Sequence, residues 1–142
     1  ALAETASKHG YDAVSAVPPY YYKHDFDAIN AYYRAIAEAA ELPVIIYNIP
    51  ILTGTDLSTA RLLQLMQDQR IVGAKFTAPD LYQFEQLRKL APDKKFYFGT
   101  DEMFLGAAAM GTDGGIGSTY NLIGDVYLGI ETAVSNILRQ NF

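Results

Sequence analysis

The sequence predicts an α/β fold built on a parallel sheet. Three observations carry this. Short apolar runs rich in Val, Ile and aromatic residues alternate with longer segments of helical period. The apolar runs themselves scarcely alternate, as expected of strands buried on both faces. Polar residues then cluster just after those runs, at the carboxyl ends of strands, where parallel α/β folds gather their sites.

Taken in order, residues 1–9 read as a helix closing at Gly10, and residues 12–17 as the first strand. A helix follows in which Phe26, Ile29, Tyr33, Ile36 and Ala40 share one face, with Asp25 placed as its N-cap. The second strand covers 44–48. Asp56 or Ser58 starts the next helix, whose Leu62, Leu65 and Met66 form an apolar stripe. The third strand covers 72–76. Asp80, followed three residues later by Gln83, resembles a capping box, and Leu81, Phe84, Leu87 and Arg88 carry the helix toward Pro92. The fourth strand covers 95–99, and a short helix over 102–110 stops at Gly111. A fifth strand over 114–118 and a helix over 126–138 complete the chain.

Both terminal helices read as cut elements. Five βα units in 142 residues fit either a segment of a (β/α)8 barrel, which when complete needs about 250 residues, or a whole doubly wound open sheet. The turn after the first strand, Val17-Pro18-Pro19-Tyr20, lacks the glycines of a dinucleotide-binding loop. At 50% hydrophobic residues the chain can bury one substantial core. Eleven basic against sixteen acidic residues give a formal charge of −5 with no Lys/Arg cluster. That balance argues against nucleic acid and anionic membrane, leaving a small molecule as the expected ligand. No apolar run approaches the roughly 20 residues of a membrane span, and residues 1–4 carry no signal-peptide pattern. The absence of cysteine removes disulfide and thiolate chemistry and fits a reducing compartment, the cytoplasm.

Lys75 lies near the end of the third strand, in Ile71-Val72-Gly73-Ala74-Lys75-Phe76-Thr77, and a cation on an almost apolar strand needs a reason. Desolvation disfavours the charged amine, and tuned lysines titrate near about 7 to 8. The neutral amine attacks a carbonyl to form a Schiff base, and Tyr47, at the matching position of the second strand, would shuttle the proton. The competing reading is a lysine that snorkels at the strand end or pairs with Asp101 or Glu102. The remaining strand ends carry Tyr20, Tyr21 and Tyr22, then Thr77, then Gly99, Asp101 and Glu102, then Gly117, Ser118 and Thr119. The tyrosines also suit a contact layer between subunits. Asp101 and Glu102, with no histidine nearby, suit an N-cap or ligand hydrogen bonds better than a metal. Gly114-Gly115-Ile116-Gly117 suits close backbone packing better than phosphate. His9 and His24 fall outside this set and are expected on the surface.

At these residues the chain resembles the dihydrodipicolinate synthase and N-acetylneuraminate lyase family of class I pyruvate-dependent aldolases, over its whole length. The motifs are Asp12-Ala13-Val14-Ser15-Ala16-Val17 with Pro19-Tyr20-Tyr21, Tyr47-Asn48-Ile49-Pro50, Gly73-Ala74-Lys75-Phe76-Thr77, Gly99-Thr100-Asp101-Glu102, and Asp113-Gly114-Gly115-Ile116-Gly117-Ser118-Thr119. The resemblance implies a (β/α)8 TIM barrel, of which residues 1–142 form one partial domain carrying strands four to eight, with the N-terminal strands and C-terminal helices outside it. It implies Lys75 as the Schiff-base lysine, Tyr47 as the proton-transfer tyrosine, and Tyr21 as a tyrosine contributed across a subunit interface. Thr77, Gly99, Asp101, Glu102, Gly117 and Ser118 would hydrogen-bond the hydroxylated part of a sugar acid, since carboxyls offer several acceptor sites to hydroxyl donors. A homotetramer without cofactor and reversible cleavage of N-acetylneuraminate to N-acetylmannosamine and pyruvate are the expected assembly and reaction.

One departure bears on the substrate. Synthases of this family usually carry an arginine shortly after the Tyr-Asn-hydrophobic-Pro turn, where Ile51-Leu52-Thr53-Gly54 stands here. Without that guanidinium there is no bidentate clamp for a second carboxylate, so a neutral hydroxylated aldehyde is the expected product. Dihydrodipicolinate synthase, another sugar-acid aldolase, and a non-catalytic binding or assembly module on the same fold are the alternatives. The family's Gly-Gly-Ser-Thr-Gly-Glu turn for the pyruvate carboxylate is expected before residue 1, so residues 1–142 alone are expected to be inactive.

Overall fold

A computed structural model describes residues 1–141. The chain divides into two compact units, Ala1–Lys75 and Phe76–Phe142.

In the first unit α1 (Leu2–Lys8) gives way to Gly10, whose φ of 73° supplies the left-handed turn out of the helix. β1 (Val14–Ala16) pairs in parallel with β2 (Val44–Asn48), with Val14 opposite Val44 and Ala16 opposite Ile46. β1 is shorter than the predicted 12–17 because Pro18-Pro19 follows it and proline has no N–H for a ladder. α2 (Phe26–Ala40) connects the two strands, and the Asp25 carboxylate accepts from the Ala28 N–H at 2.8 Å. Its buried residues are Ile29, Tyr33, Ala37 and Ala40; Phe26 and Ile36, expected on the same face, are half-buried. The Tyr33 hydroxyl donates to Ala16 O at 3.1 Å and ties the helix to β1. Glu41, at φ 52°, ends α2 in the left-handed region usually occupied by glycine.

One helical turn was not legible in the sequence: α3 (Pro50–Thr53), with Pro50 opening it and Gly54, φ 63°, closing it. α4 (Thr59–Leu65) is capped by Ser58 rather than Asp56, Ser58 Oγ accepting from Arg61 N–H at 3.4 Å. Leu62, Leu65 and Met66 are buried as the stripe predicts. β3 (Ile71–Phe76) follows, its last residue counted with the second unit.

An ion pair introduces β3. Arg70 donates to the Asp68 carboxylate through Nε at 2.9 Å and Nη2 at 2.7 Å, and these bonds hold the Asp68 carboxyl down from 3.8 to about 2. A depressed folded-state pKa contributes stability that is present above the unfolded value and lost as pH falls through the folded one. Stability is therefore expected to decline between about pH 4 and pH 2. Urea midpoints measured across that range should show a shallower decline in Asp68→Asn than in the parent chain.

In the second unit α5 (Leu81–Leu90) is capped by Asp80, which accepts from Gln83 N–H at 2.9 Å. β4 (Lys95–Phe98) pairs in parallel with β5 (Gly114–Gly115), Tyr97 opposite Gly114 and Phe98 opposite Gly115. A 3-10 turn over Asp101–Met103 and α6 (Phe104–Ala109) lie between them, and Gly111 adopts the left-handed φ of 80°. Phe76, Phe84, Phe96 and Phe98 form a fully buried aromatic core, with Phe84 5.2 Å from Phe98 and 5.6 Å from Phe76 between ring centroids. Asp113 closes the start of β4: it accepts from Arg88 at 2.7 Å, Lys95 at 2.9 Å and Phe96 N–H at 2.9 Å. Burial pushes its pKa up, but these donors outweigh burial and hold it below the ordinary carboxylate value. α7 (Tyr120–Asn141) begins earlier than the predicted 126–138 and contains a non-helical break at Ile123.

Within each unit neighbouring strands pair in parallel, β1 with β2 and β4 with β5. Two expectations need correction. β5 is two residues long, because the chain leaves the ladder after Ile116 N–H reaches Phe98 O at 2.9 Å. β2 also alternates: Val44, Ile46 and Asn48 are buried, while Ile45 and Tyr47 are half-buried. The sequence hides this because Ile45 is as apolar as its buried neighbours.

Candidate active site

The first unit places its two chemically distinctive side chains by strand period. Tyr47 is the penultimate residue of β2 and Lys75 the penultimate residue of β3, and both are half-buried. Lys75 Nζ lies 3.8 Å from the centroid of the Tyr47 ring. An aromatic face attracts a cation at this distance, and a protonated imine carries the same charge as an ammonium. Tyr47 also lines a cavity of about 230 Å³ with Val17, Tyr20, Ile49, Leu52 and Thr53. Tyr21 is not part of that lining; it is 82% exposed, edge-on to Tyr22 with ring centroids 4.8 Å apart. Asn48, beside Tyr47 but on the opposite face, is 1% exposed, and neither amide atom has a hydrogen-bond partner. Buried amides are normally satisfied, so Asn48, which the sequence marked only as part of the Tyr47-Asn48-Ile49-Pro50 motif and without a role, joins the candidates. His9 and His24 are exposed.

The second unit gathers a different set, after β4 and β5. Asp101 is 9% exposed; its Oδ2 accepts from the Thr119 backbone N–H at 2.9 Å and lies 2.7 Å from Thr119 Oγ1. Its other oxygen, Oδ1, is buried without a partner. Gly117 runs so close to this carboxylate that a Cβ there would overlap it, which gives the glycine a physical cause. Gly99 donates its N–H to Phe76 O at 2.8 Å, committing that donor to the backbone. Thr77 Oγ1 is buried and unpartnered, whereas Glu102 and Ser118 are exposed. The Asp101 side chain is thus turned to Thr119 rather than capping the helix that follows; the turn begins at Thr100 without a side-chain cap.

Two tyrosines outside the strand-end set flank Asp101's neighbour. The Tyr127 hydroxyl is 3.0 Å from Thr119 Oγ1, and the rings of Phe104, Tyr120 and Tyr127 pack edge to face. Burial, and then the Asp101 charge, push the Tyr120 phenol far above its ordinary value, so it stays protonated. Tyr120 and Tyr127 lie on either side of the break at Ile123, and nothing in the sequence pattern singled them out. Among the described residues no group of three or more His, Asp or Glu could hold a metal ion, and no helix is long and apolar enough to cross a membrane.

Comparison with known proteins gives consistent matches. Residues 1–137 match the model of the dihydrodipicolinate synthetase family. The N-acetylneuraminate lyase of Clostridium perfringens (strain SM101 / Type A) is 47% identical over 123 residues, which is 87% of this chain and 43% of that protein. The structure of N-acetylneuraminate lyase from Fusobacterium nucleatum complexed with pyruvate aligns with a TM-score of 0.81 at 38% identity, over 97% of this chain and 51% of that one. The catalytic lysine mutant of Ruminococcus gnavus sialic acid aldolase aligns with a TM-score of 0.90 at 28% identity, over 98% of this chain and 46% of that one. The chain therefore spans about half the length of these relatives. The α/β architecture is a segment of a (β/α)8 TIM barrel, not a complete open sheet.

Proposed function

We propose, from the premise that this chain belongs to the dihydrodipicolinate synthetase family, that the whole protein is a Schiff-base aldolase reversibly cleaving N-acetylneuraminate to N-acetylmannosamine and pyruvate. The observation that carries this is Lys75 Nζ, 3.8 Å from the Tyr47 ring. Lys75 attacks the C2 ketone of the open-chain sugar acid, and loss of water leaves a protonated imine. The C4 hydroxyl gives up its proton with Tyr47 as relay, and the C3–C4 bond breaks. Its electron pair enters the iminium, leaving an enamine and the aldehyde of N-acetylmannosamine. Protonation at C3 and hydrolysis then release pyruvate and restore the amine. The electron-rich face of Tyr47 supports the positive charge on which the bond cleavage depends.

Asp101, Thr77, Gly99, Glu102, Gly117 and Ser118 are assigned to the polyhydroxylated half of the substrate. The buried, unpartnered Asp101 Oδ1 and Thr77 Oγ1 support this, since each lacks the partner that hydroxyls would provide. Because the Gly99 N–H is already used, a ligand bond there would go to its carbonyl. The absence of arginine in α3, whose Ile51 and Leu52 are exposed, supports a neutral aldehyde over a carboxylate-bearing one. The exposure of Tyr21 supports its role across a subunit interface of a homotetramer, and the cysteine-free composition supports the cytoplasm.

The test is reductive trapping. The whole protein treated with pyruvate and borohydride is expected to gain a reduced pyruvyl adduct on Lys75, mapped by mass spectrometry. Labelling at another lysine, or none, overturns the assignment, and none favours a binding module. Faster condensation of pyruvate with aspartate semialdehyde than cleavage of N-acetylneuraminate would move the protein to the synthase branch.

A further inference from the structure

Asp101 is held at one oxygen and left open at the other. Thr119 supplies both groups that hold it, the backbone N–H at 2.9 Å and Oγ1 at 2.7 Å from Oδ2. A hydroxyl has one proton; spending it on the carboxylate leaves Thr119 Oγ1 an acceptor toward the Tyr127 hydroxyl, 3.0 Å away. Such chains polarise one another. An Asp carboxylate otherwise turns through a broad, nearly two-fold torsion, which would let the two oxygens exchange roles. Here Oδ2 is doubly engaged, Oδ1 is buried and unpartnered, and Gly117, lacking a Cβ, lets the carboxylate itself lie against the backbone.

We propose that Thr119, backed by Tyr127, is a positioning residue that fixes the Asp101 carboxylate so that Oδ1 is reserved for a hydroxyl of the substrate. This rests on the reading of Asp101 as a substrate-binding group. It makes Thr119 and Tyr127 determinants of selectivity for hydroxylated aldehydes, acting through Asp101 and not on the Lys75 chemistry.

Thr119→Val keeps the shape and removes the hydroxyl. In the whole protein, KM for N-acetylneuraminate is expected to rise about 10- to 100-fold, with kcat changed far less and pyruvate-dependent borohydride labelling of Lys75 at its parental rate. Thr119→Ser is expected to restore KM to within about threefold, and Tyr127→Phe to raise it about two- to fivefold. A Thr119→Val chain with parental KM, or one whose defect serine does not relieve, overturns the proposal. Asp101→Asn separates the two ideas. If it raises KM and Thr119→Val does not, the positioning role alone falls; if neither does, the reading of Asp101 falls as well.

Discussion

Replacing Lys75 by methionine is expected to lower kcat/KM for N-acetylneuraminate by at least about 10³-fold and to abolish borohydride trapping by pyruvate. Methionine retains the length of the side chain without an amine, so loss of packing is minimised. Lys75→Arg is the more discriminating variant. It keeps a cation able to sit over the Tyr47 ring, now 3.8 Å from Nζ, but a guanidinium stays protonated and forms no imine under these conditions. If the lysine served only to satisfy the aromatic face, arginine would preserve function; a Schiff-base role requires that it fail as badly as methionine. Both variants should unfold within about 0.5 kcal/mol of the parent, since Lys75 is half-buried and outside the apolar core. Turnover and trapping retained in Lys75→Arg would refute the nucleophile assignment.

Lys75 stands out in the sequence as a candidate because a cation after Ile71-Val72-Gly73-Ala74 demands an explanation that a surface lysine does not. Helices with side-chain caps were legible for a similar reason, since Asp25 and Asp80 each satisfy a first-turn N–H and announce a boundary. What failed was whatever depends on contacts distant in sequence. The faces of β2 could not be told apart when Ile45 and Ile46 are equally apolar. α3 is a single turn, too short for a periodic signal, and Gly124, with the break at Ile123, disguised the start of α7. In the site, Asp101 and Thr119 are 18 residues apart, so their union exists only after β5 returns beside β4. Asn48 escaped because nothing in a strand pattern says which polar side chain will be buried without a partner.

The aromatic core of the second unit connects stability to the site. Phe84 is fully buried, with ring centroids 5.2 Å from Phe98, 5.6 Å from Phe76 and 6.4 Å from Phe96. Phe84→Ala is expected to cost about 3–5 kcal/mol, from lost transfer energy, a residual cavity and the edge-to-face contacts. Phe84→Leu, which refills much of the volume, should cost less than half of that. Urea unfolding of the full chain measures both, and a loss below about 1 kcal/mol for Phe84→Ala would refute this packing account. The effect should reach function by a specific route. Phe76 and Phe98 immediately precede Thr77 and Gly99, and Gly99 N–H bonds Phe76 O at 2.8 Å, so packing against Phe84 sets where these strand ends emerge. In protein that remains folded, Phe84→Ala should therefore raise KM for the sugar acid while pyruvate still labels Lys75. Parental KM in that variant would mean the strand ends are held by their backbone bonds alone, and the aromatic core contributes stability without guiding the binding groups.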